Sequence, residues 1–314
     1  MFLKKLRSHL GTLIMEAVLL ALCVALAFTA PNFLTTGNLL NILQSESLKG
    51  IIAFGMTMVI IQGDIDLSVA SVAAFSGCLM AFLTLHGVPV PLGIPLTLAA
   101  GAVVGGFTGV LRTKMGVPTF ITTLALLTGL RGAALMLTGG FALTPFPDAY
   151  NFLGGGSLLG VPVPAILFLL VFAAIHFLMN YTSFGRSVYA VGGNAEATRL
   201  SGINVSRVRI TVLALTSGLA ALAGVLLSSR MLSGDPTVAQ GWELDVIAAV
   251  IIGGTSLSGG AGRVWGTLIG VVFIGVIVNG MTLLNVPVYG QYMVRGALIL
   301  AAVMLTQLQT QSRS

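Results

Sequence analysis

Charged residues, histidines and cysteines are all scarce in this chain, and each shortage excludes a class of protein. Only 8% of the 314 residues are Asp, Glu, Lys or Arg, whereas soluble proteins contain about 25%. A chain this poor in charge cannot cover a surface that faces water. The two cysteines lie in apolar runs and indicate neither a disulfide framework nor a metal site. The three histidines are far apart and lack the spacing of zinc ligands.

Sequence motifs of soluble enzymes are also missing. There is no G-x-x-x-x-G-K-[ST] phosphate loop, so we expect no ATP hydrolysis by this chain itself. Neither H-E-x-x-H nor G-x-S-x-G occurs. The glycine-rich stretch GGTSLSGGAG at 253–262 lacks the lysine of a phosphate loop, and we predict a tight turn between helices there. The sequence therefore predicts neither a catalytic site nor a bound cofactor.

Long apolar runs fill the sequence instead. Hydrophobic residues make up 56% of the chain, the mean hydropathy is +1.02, and many runs approach the roughly 20 residues that span a bilayer. We predict an all-α polytopic membrane protein, a single transmembrane domain over residues 1–314. About ten transmembrane helices are expected, at 12–30, 47–62, 67–86, 91–111, 117–138, 162–180, 209–230, 243–257, 263–284 and 288–307. The basic start could be a cleaved signal peptide, but an uncleaved first helix fits the rest of the chain better.

The positions of Lys and Arg predict the orientation of these helices. With the N-terminus inside the cell, most basic residues fall in inside loops, while the outside loops 139–161 and 231–242 contain none. This bias follows the positive-inside rule, so both termini are expected in the cytoplasm. It also accounts for the net charge of +6 without nucleic acid as a partner. Four basic residues are exceptions, near outer ends or within predicted spans: Lys49, Arg131, Arg230 and Arg295.

Two aspartates stand close together in QGDIDLSVASV, between two apolar runs. Asp64 and Asp66 could cap a helix that begins near Leu67, with Ser68 in its first turn. Alternatively, the stretch is a helix break inside the protein whose polar groups line a substrate path. The two acids could also form the ion relay of a secondary transporter driven by an ion gradient. The residues alone leave these alternatives open.

The longest inside loop, 181–208, contains a predicted short helix in NAEATRLSG. Asn194 is a good N-cap, Glu196 suits the first turn, and Gly202 can adopt the left-handed conformation that ends a helix. This segment is either a solvated connector or a docking helix for a cytosolic partner.

The outside loop 231–242 and the helix start after it carry a second polar group. Acids in this position complement a helix dipole, and a tryptophan suits the membrane interface. The alternative is a contact surface for an external partner. The residues concerned are Asp235, Trp242, Glu243 and Asp245.

Three stretches together resemble one family: GMTMVIIQGDIDLSVAS, GRSVYAVGGNAEATRLSGINV and ELDVIAAVIIGGTSLSGGAGRVWGTLIG. They are similar to the permease subunits of bacterial ATP-binding-cassette sugar importers of the ribose, arabinose, galactoside and xylose type. The resemblance runs from about Pro31 to Leu305. GDIDLSVAS, SSRMLSGDP and QYMVRG look most like the arabinose-type members. Asp64 and Ala70 stand where many members have glycine.

This resemblance implies a type II importer fold and import of a monosaccharide, with a pentose such as arabinose or ribose favoured, across the bacterial inner membrane by alternating access. Two permease copies, identical or sister chains, would surround one path within the membrane lipid. Cytosolic ATPase subunits would bind ATP and Mg²⁺, and a periplasmic sugar-binding protein would meet the acidic outside loop.

NAEATRLSG resembles the E-A-A-x-x-x-G coupling motif, with Thr198 in place of the second alanine. The resemblance therefore favours docking to the ATPase over a simple connector. It also favours a place near the translocation pathway for Asp64, Asp66 and Ser68. The residues assigned to ATPase coupling are Asn194, Glu196, Ala197, Arg199 and Gly202.

Overall fold

The structure is a computed structural model that describes residues 2–311. Met1 and residues 312–314, at the two termini that are predicted to be cytoplasmic, lie outside the described residues. Between them the chain forms thirteen α-helices and one short hairpin: α1 Phe2–Thr29, α2 Thr36–Ile61, α3 Val69–Leu85, α4 Val90–Lys114, α5 Thr119–Thr138, α6 Asn151–Gly155, β1 Ser157–Leu158, β2 Val161–Pro162, α7 Val163–Tyr181, α8 Ser183–Gly193, α9 Ala195–Leu200, α10 Val205–Met231, α11 Trp242–Ile252, α12 Val264–Leu283 and α13 Val288–Gln311.

Every one of the ten predicted spans coincides with a helix of this structure. Five of the described helices are long and apolar enough to cross a membrane: α4, α5, α7, α10 and α12. The chain is therefore a helical protein that crosses the membrane several times, and the count of ten spans remains a prediction.

Among the predicted boundaries that are wrong, three have an identifiable cause. The second helix begins at Thr36 instead of 47, because Thr35 caps it and its polar Asn38 exchanges hydrogen bonds of 3.0 and 2.7 Å with Asn279 of α12. The helix predicted at 243–257 ends at Ile252, where Gly253 and Gly254 follow. The outside loop 139–161 is partly ordered, since it contains α6 and the antiparallel hairpin β1–β2.

The core lies around the second half of α2. Residues 50–61 of α2 are all buried, against α7, α10, α11 and α12. A row of glycines at a spacing of four residues lets α4 pack closely on α10. Beta-carbons at Gly101, Gly105 and Gly109 would each collide with α10, so the two backbones touch. We therefore treat α4 and α10 as one tightly packed pair.

Candidate translocation and coupling site

The aspartate stretch is a break between two helices inside the protein. α2 ends at Ile61, Gly63 turns the chain with φ of +86°, and α3 begins at Val69. Residues 62–68, which we call the helix break, have no regular secondary structure, although most of them are buried. Backbone without helical hydrogen bonds is tolerated at membrane depth only where protein or a cavity surrounds it.

Asp66 is completely buried in this break, at 0% exposure. Its Oδ1 accepts hydrogen bonds from the backbone N–H of Ser68 at 2.8 Å and from the Ser68 hydroxyl at 2.6 Å. Ser68 itself occupies the N-cap position of α3 and not its first turn. The second carboxylate oxygen, Oδ2, is buried and has no hydrogen-bond partner among the described residues. A buried acceptor left open in this way can receive a hydroxyl from a ligand.

Asp64 lies two residues earlier in the chain and makes different contacts. Its Oδ1 accepts from Arg112 Nε at 3.1 Å and from the Thr119 hydroxyl at 2.9 Å. Its Oδ2 accepts from Gln62 at 3.3 Å and lies 3.7 Å from Arg209 Nε. Asp64 therefore does not cap α3: it pairs with α4 and α10 and accepts a hydrogen bond from α5. We call Asp64, Arg112 and Arg209 the Asp64 cluster.

The segment predicted to couple to a partner forms two helices, α8 and α9. Thr182 caps α8, a helix that the sequence analysis does not predict. The predicted cap of α9 is confirmed, because Asn194 Oδ1 accepts from the N–H of Ala197 at 2.9 Å. The predicted left-handed stop is confirmed too, at Gly202 with φ of +86°.

Glu196 and Arg199 present a charge pair on the outer surface of α9. Their side chains are paired at 2.6 and 3.1 Å and remain 67% and 63% exposed. The hydrogen bond and charge of Arg199 lower the pKa of the Glu196 carboxyl, so it stays ionised at neutral pH. An exposed pair of this kind contributes little stability. Because both side chains are exposed, they are available to a partner.

The end of α8 packs on the end of α2. The carbonyl of Ile61 accepts from the N–H of Gly260 at 2.8 Å, and the backbone of Gly192 lies against the same carbonyl. The Tyr189 hydroxyl donates to the carbonyl of Gly262 at 2.9 Å, and burial raises the pKa of Tyr189, which keeps this donor protonated. The predicted glycine-rich turn between helices thus joins α8 to the start of the helix break.

Arg131 of α5 holds the loop that is predicted to face the outside. Its Nη1 donates to the carbonyls of Pro236 at 2.6 Å and Val238 at 2.7 Å. Asp235 stabilises its own turn by accepting from the N–H and hydroxyl of Thr237, each at 2.7 Å. Trp242 and Glu243 open α11 beside this loop.

Asp245 lies apart from the other residues predicted for the outside surface. It is only 6% exposed and pairs with Lys49 of α2 at 3.1 Å and with Arg295 of α13 at 3.2 Å. Lys49 also pairs with Glu46 at 3.4 Å. In this conformation Asp245 therefore joins three helices, because the apolar surroundings favour paired charges.

The sequence analysis assigns no role to the cations that hold Asp64, Asp245 and the loop at 235–238. A usable signal existed for three of them, because Lys49, Arg131 and Arg295 were exceptions to the positive-inside pattern. A charge within an apolar span costs free energy unless a partner or function compensates. Arg112 and Arg209 gave no such signal, since they fitted the expected inside face.

Comparison with known proteins places the chain in a family. The sequence model described as the permease component of the branched-chain amino acid transport system matches residues 38–303. The chain belongs to this permease family. It is 45% identical over 305 residues to the ribose import permease protein RbsC of Bacillus subtilis, covering 96% of this chain and 92% of that protein. No solved structure matches the chain.

Other relatives carry the same kind of name. RbsC of Escherichia coli K12 is 43% identical over 91% of each chain. The L-arabinose ABC transporter permease protein AraH of Azospirillum brasilense is 41% identical, over 94% of this chain and 87% of that protein. The chain is thus an ABC transporter permease, a transport component without its own catalytic activity. This family membership, together with the pairing of Asp64 to two arginines, sets aside the transporter driven by an ion gradient.

Proposed function

We propose that this permease imports a monosaccharide, with a pentose favoured, across the bacterial inner membrane. The observation that carries the proposal is the extent of similarity to permeases named for ribose and arabinose, which reaches 41–45% over nearly the whole chain. The family description mentions branched-chain amino acids. We give more weight to the named relatives, because they are individual proteins aligned over almost their full length.

The chemistry of the helix break supports a neutral, hydroxylated cargo. Asp66 offers one unpaired carboxylate oxygen in a buried place, and Ser68 offers a hydroxyl beside it. Carboxylates are good acceptors for sugar hydroxyls. We therefore place Asp66 and Ser68 beside the translocation pathway, and assign Asp64 to holding the break in position.

Energy would come from a separate cytosolic ATPase that holds ATP and Mg²⁺. We assign Asn194, Glu196, Ala197, Arg199 and Gly202 to its docking surface, since α9 is a capped helix with an exposed charge pair. ATP-driven closure of two ATPase subunits would displace α8 and α9, and the permease would alternate between inward and outward openings. This orientation puts the N- and C-termini in the cytoplasm.

On the outer side we propose a periplasmic sugar-binding protein as the partner of Asp235, Trp242 and Glu243. Asp245 would join that surface only in a conformation that opens its pairs with Lys49 and Arg295. A second copy of the chain, or a sister permease, would complete the pathway within the lipid, with residues 1–314 as one transmembrane domain.

Purification and reconstitution test this function directly. The tagged permease should copurify with a subunit that carries a phosphate-loop sequence, and the complex in proteoliposomes should take up radiolabelled ribose or arabinose only with ATP and the binding protein. Glu196→Ala should reduce ATPase copurification without lowering the amount of permease in the membrane. Ser187→Ala is the matched control, because this hydroxyl of α8 bonds to the carbonyl of Ser183 in its own helix. Uptake by the permease alone, without ATP, would refute the proposal.

A further inference from the structure

The Asp64 cluster joins the coupling segment to the helix break. α9 is followed, after four residues, by α10, and Arg209 lies in the first turns of α10. A displacement of α9 is therefore carried by the covalent chain into the helix that bears Arg209. Arg209 faces the break, where its Nε lies 3.7 Å from Asp64 Oδ2.

The second arginine of the cluster belongs to the same moving unit. Arg112 lies near the end of α4, and α4 is packed backbone to backbone on α10 at Gly105 and Gly109. Interiors packed at this density move as units and do not deform continuously. Asp64 is thus held by two arginines of one helix pair, while its own backbone belongs to the break.

The contacts differ in tightness on the two sides of the carboxylate. Arg112 is within hydrogen-bond distance at 3.1 Å, whereas the Arg209 Nε at 3.7 Å is buried and has no hydrogen-bond partner in the part of the chain that the structure describes. A shift of less than 1 Å by α10 toward the break would convert the looser ion pair into a hydrogen bond. Arg209 and Asp64 can therefore have two arrangements, one with a loose ion pair and one with a hydrogen bond. A coupling element requires two such arrangements.

We infer that Asp64 is a positioning residue that transmits the displacement of the α4–α10 pair to the helix break, and thereby moves Asp66. The inference rests on the proposed function, since it assigns a step within ATP-driven transport. Only Ile65 separates Asp64 from Asp66, and residues 64–68 lie outside helices, although the N–H of Asp64 still donates to the carbonyl of Val59 at 3.0 Å. A displacement of Asp64 by the α4–α10 pair therefore reorients Asp66, whose Oδ2 has no hydrogen-bond partner among the described residues.

The test is the number of sugars transported per ATP hydrolysed, measured in proteoliposomes that contain the permease, its ATPase and its binding protein. Asp64→Asn should lower this ratio about fivefold or more, the usual scale of coupling between sites, and Asp64→Glu should retain much of it. Arg209→Gln should also lower the ratio of sugar transported to ATP hydrolysed. Because this variant keeps the pair between Asp64 and Arg112, it tests the inference even if Asp64→Asn does not fold. Lys114→Gln is the matched control, because it removes an exposed cation from the same end of α4.

A purely structural role gives a different result. It would reduce the amount of folded complex, so uptake and ATP hydrolysis would fall together with an unchanged ratio in both variants, and that outcome would overturn the inference. Measurements on the unmodified permease distinguish failure of the inference about Asp64 from failure of the proposed function. If it shows no ATP-dependent uptake, the function is wrong, whatever the variants do.

Discussion

Gly192 of α8 lies in direct backbone contact with the carbonyl oxygen of Ile61, the last residue of α2. The N–H of Gly260 donates to the same carbonyl at 2.8 Å. A single oxygen atom thus connects the coupling segment, the glycine-rich turn and the residue that precedes the helix break. No side chain separates these three backbones.

Replacing Gly192 by alanine should disrupt this contact. The new methyl group would collide with the Ile61 carbonyl and lie 2.6 Å from the nitrogen of Gly260, and overpacking of this kind costs about 1–3 kcal/mol. We expect a lower thermal unfolding midpoint in detergent and impaired transport. Gly193→Ala is the matched control, because its added methyl group meets nothing within 4 Å. Equal effects of the two substitutions would contradict the assignment.

Asp66→Asn should impair sugar uptake while leaving complex assembly intact. The amide is similar in size, but its NH2 group replaces one carboxyl oxygen and cannot accept a hydroxyl. A buried polar group left without a partner costs about 1–3 kcal/mol, so we expect uptake at subsaturating sugar to fall about tenfold. Ser68→Ala removes the hydroxyl donor at 2.6 Å and should have a smaller effect. Wild-type uptake by Asp66→Asn would exclude a direct role.

Arg295→Gln should destabilise the permease by loosening α13 from α11. Asp245 would keep Lys49 at 3.1 Å, so we expect a cost of about 1–3 kcal/mol and not the larger value for a fully unpaired buried charge. Thermal unfolding with Lys49→Met, Arg295→Gln and the double variant would measure it. Because both cations serve the same carboxylate, the two effects should not add; strict additivity would count against a shared cluster.

The Glu196 carboxyl should titrate below the ordinary range of a glutamate. Arg199 lowers its pKa through the hydrogen bond and the charge, so the pair stabilises α9 above the unfolded-state pKa and loses this contribution as the pH falls through the lower folded-state pKa. Carbon-13 chemical shifts of labelled glutamate in nanodiscs would follow the titration, with Glu196→Gln to assign the signal. Arg199→Gln should return the pKa toward its ordinary value; no change in that variant would mean that the pair does not form.

Much of the fold could be predicted because it depends on local rules. Apolar runs gave ten segments that are all helical in the structure, and the N-cap Asn194 and the stop at Gly202 were readable from residue type. The start of α2 could not be predicted in this way, because its polar Asn38 bonds to Asn279, which lies 241 positions away in the chain.

In the candidate site, too, the sequence predicts local contacts but not contacts between distant parts of the chain, as the two aspartates of the break show. The spacing of the two aspartates predicts one shared role, yet Asp66 accepts from its own neighbour Ser68, while Asp64 accepts from residues of α4 and α5. The Asp66 contact is local, but it is not the predicted helix cap: the carboxyl accepts from the N–H two residues on, as in a turn. The Asp64 contacts join residues 48 and 55 positions apart, and only the packing of α4 and α5 brings them together.

The shortness of α11 bears on how the protein is made. Its 11 residues extend only about 16 Å, roughly half the thickness of the hydrocarbon core. Such a segment, with Glu243 and Asp245 in its first turn, is a poor substrate for insertion on its own. We expect it to enter the bilayer only after α2 has supplied Lys49 as the partner of Asp245. Biogenesis of the C-terminal half would then depend on a helix synthesised almost two hundred residues earlier.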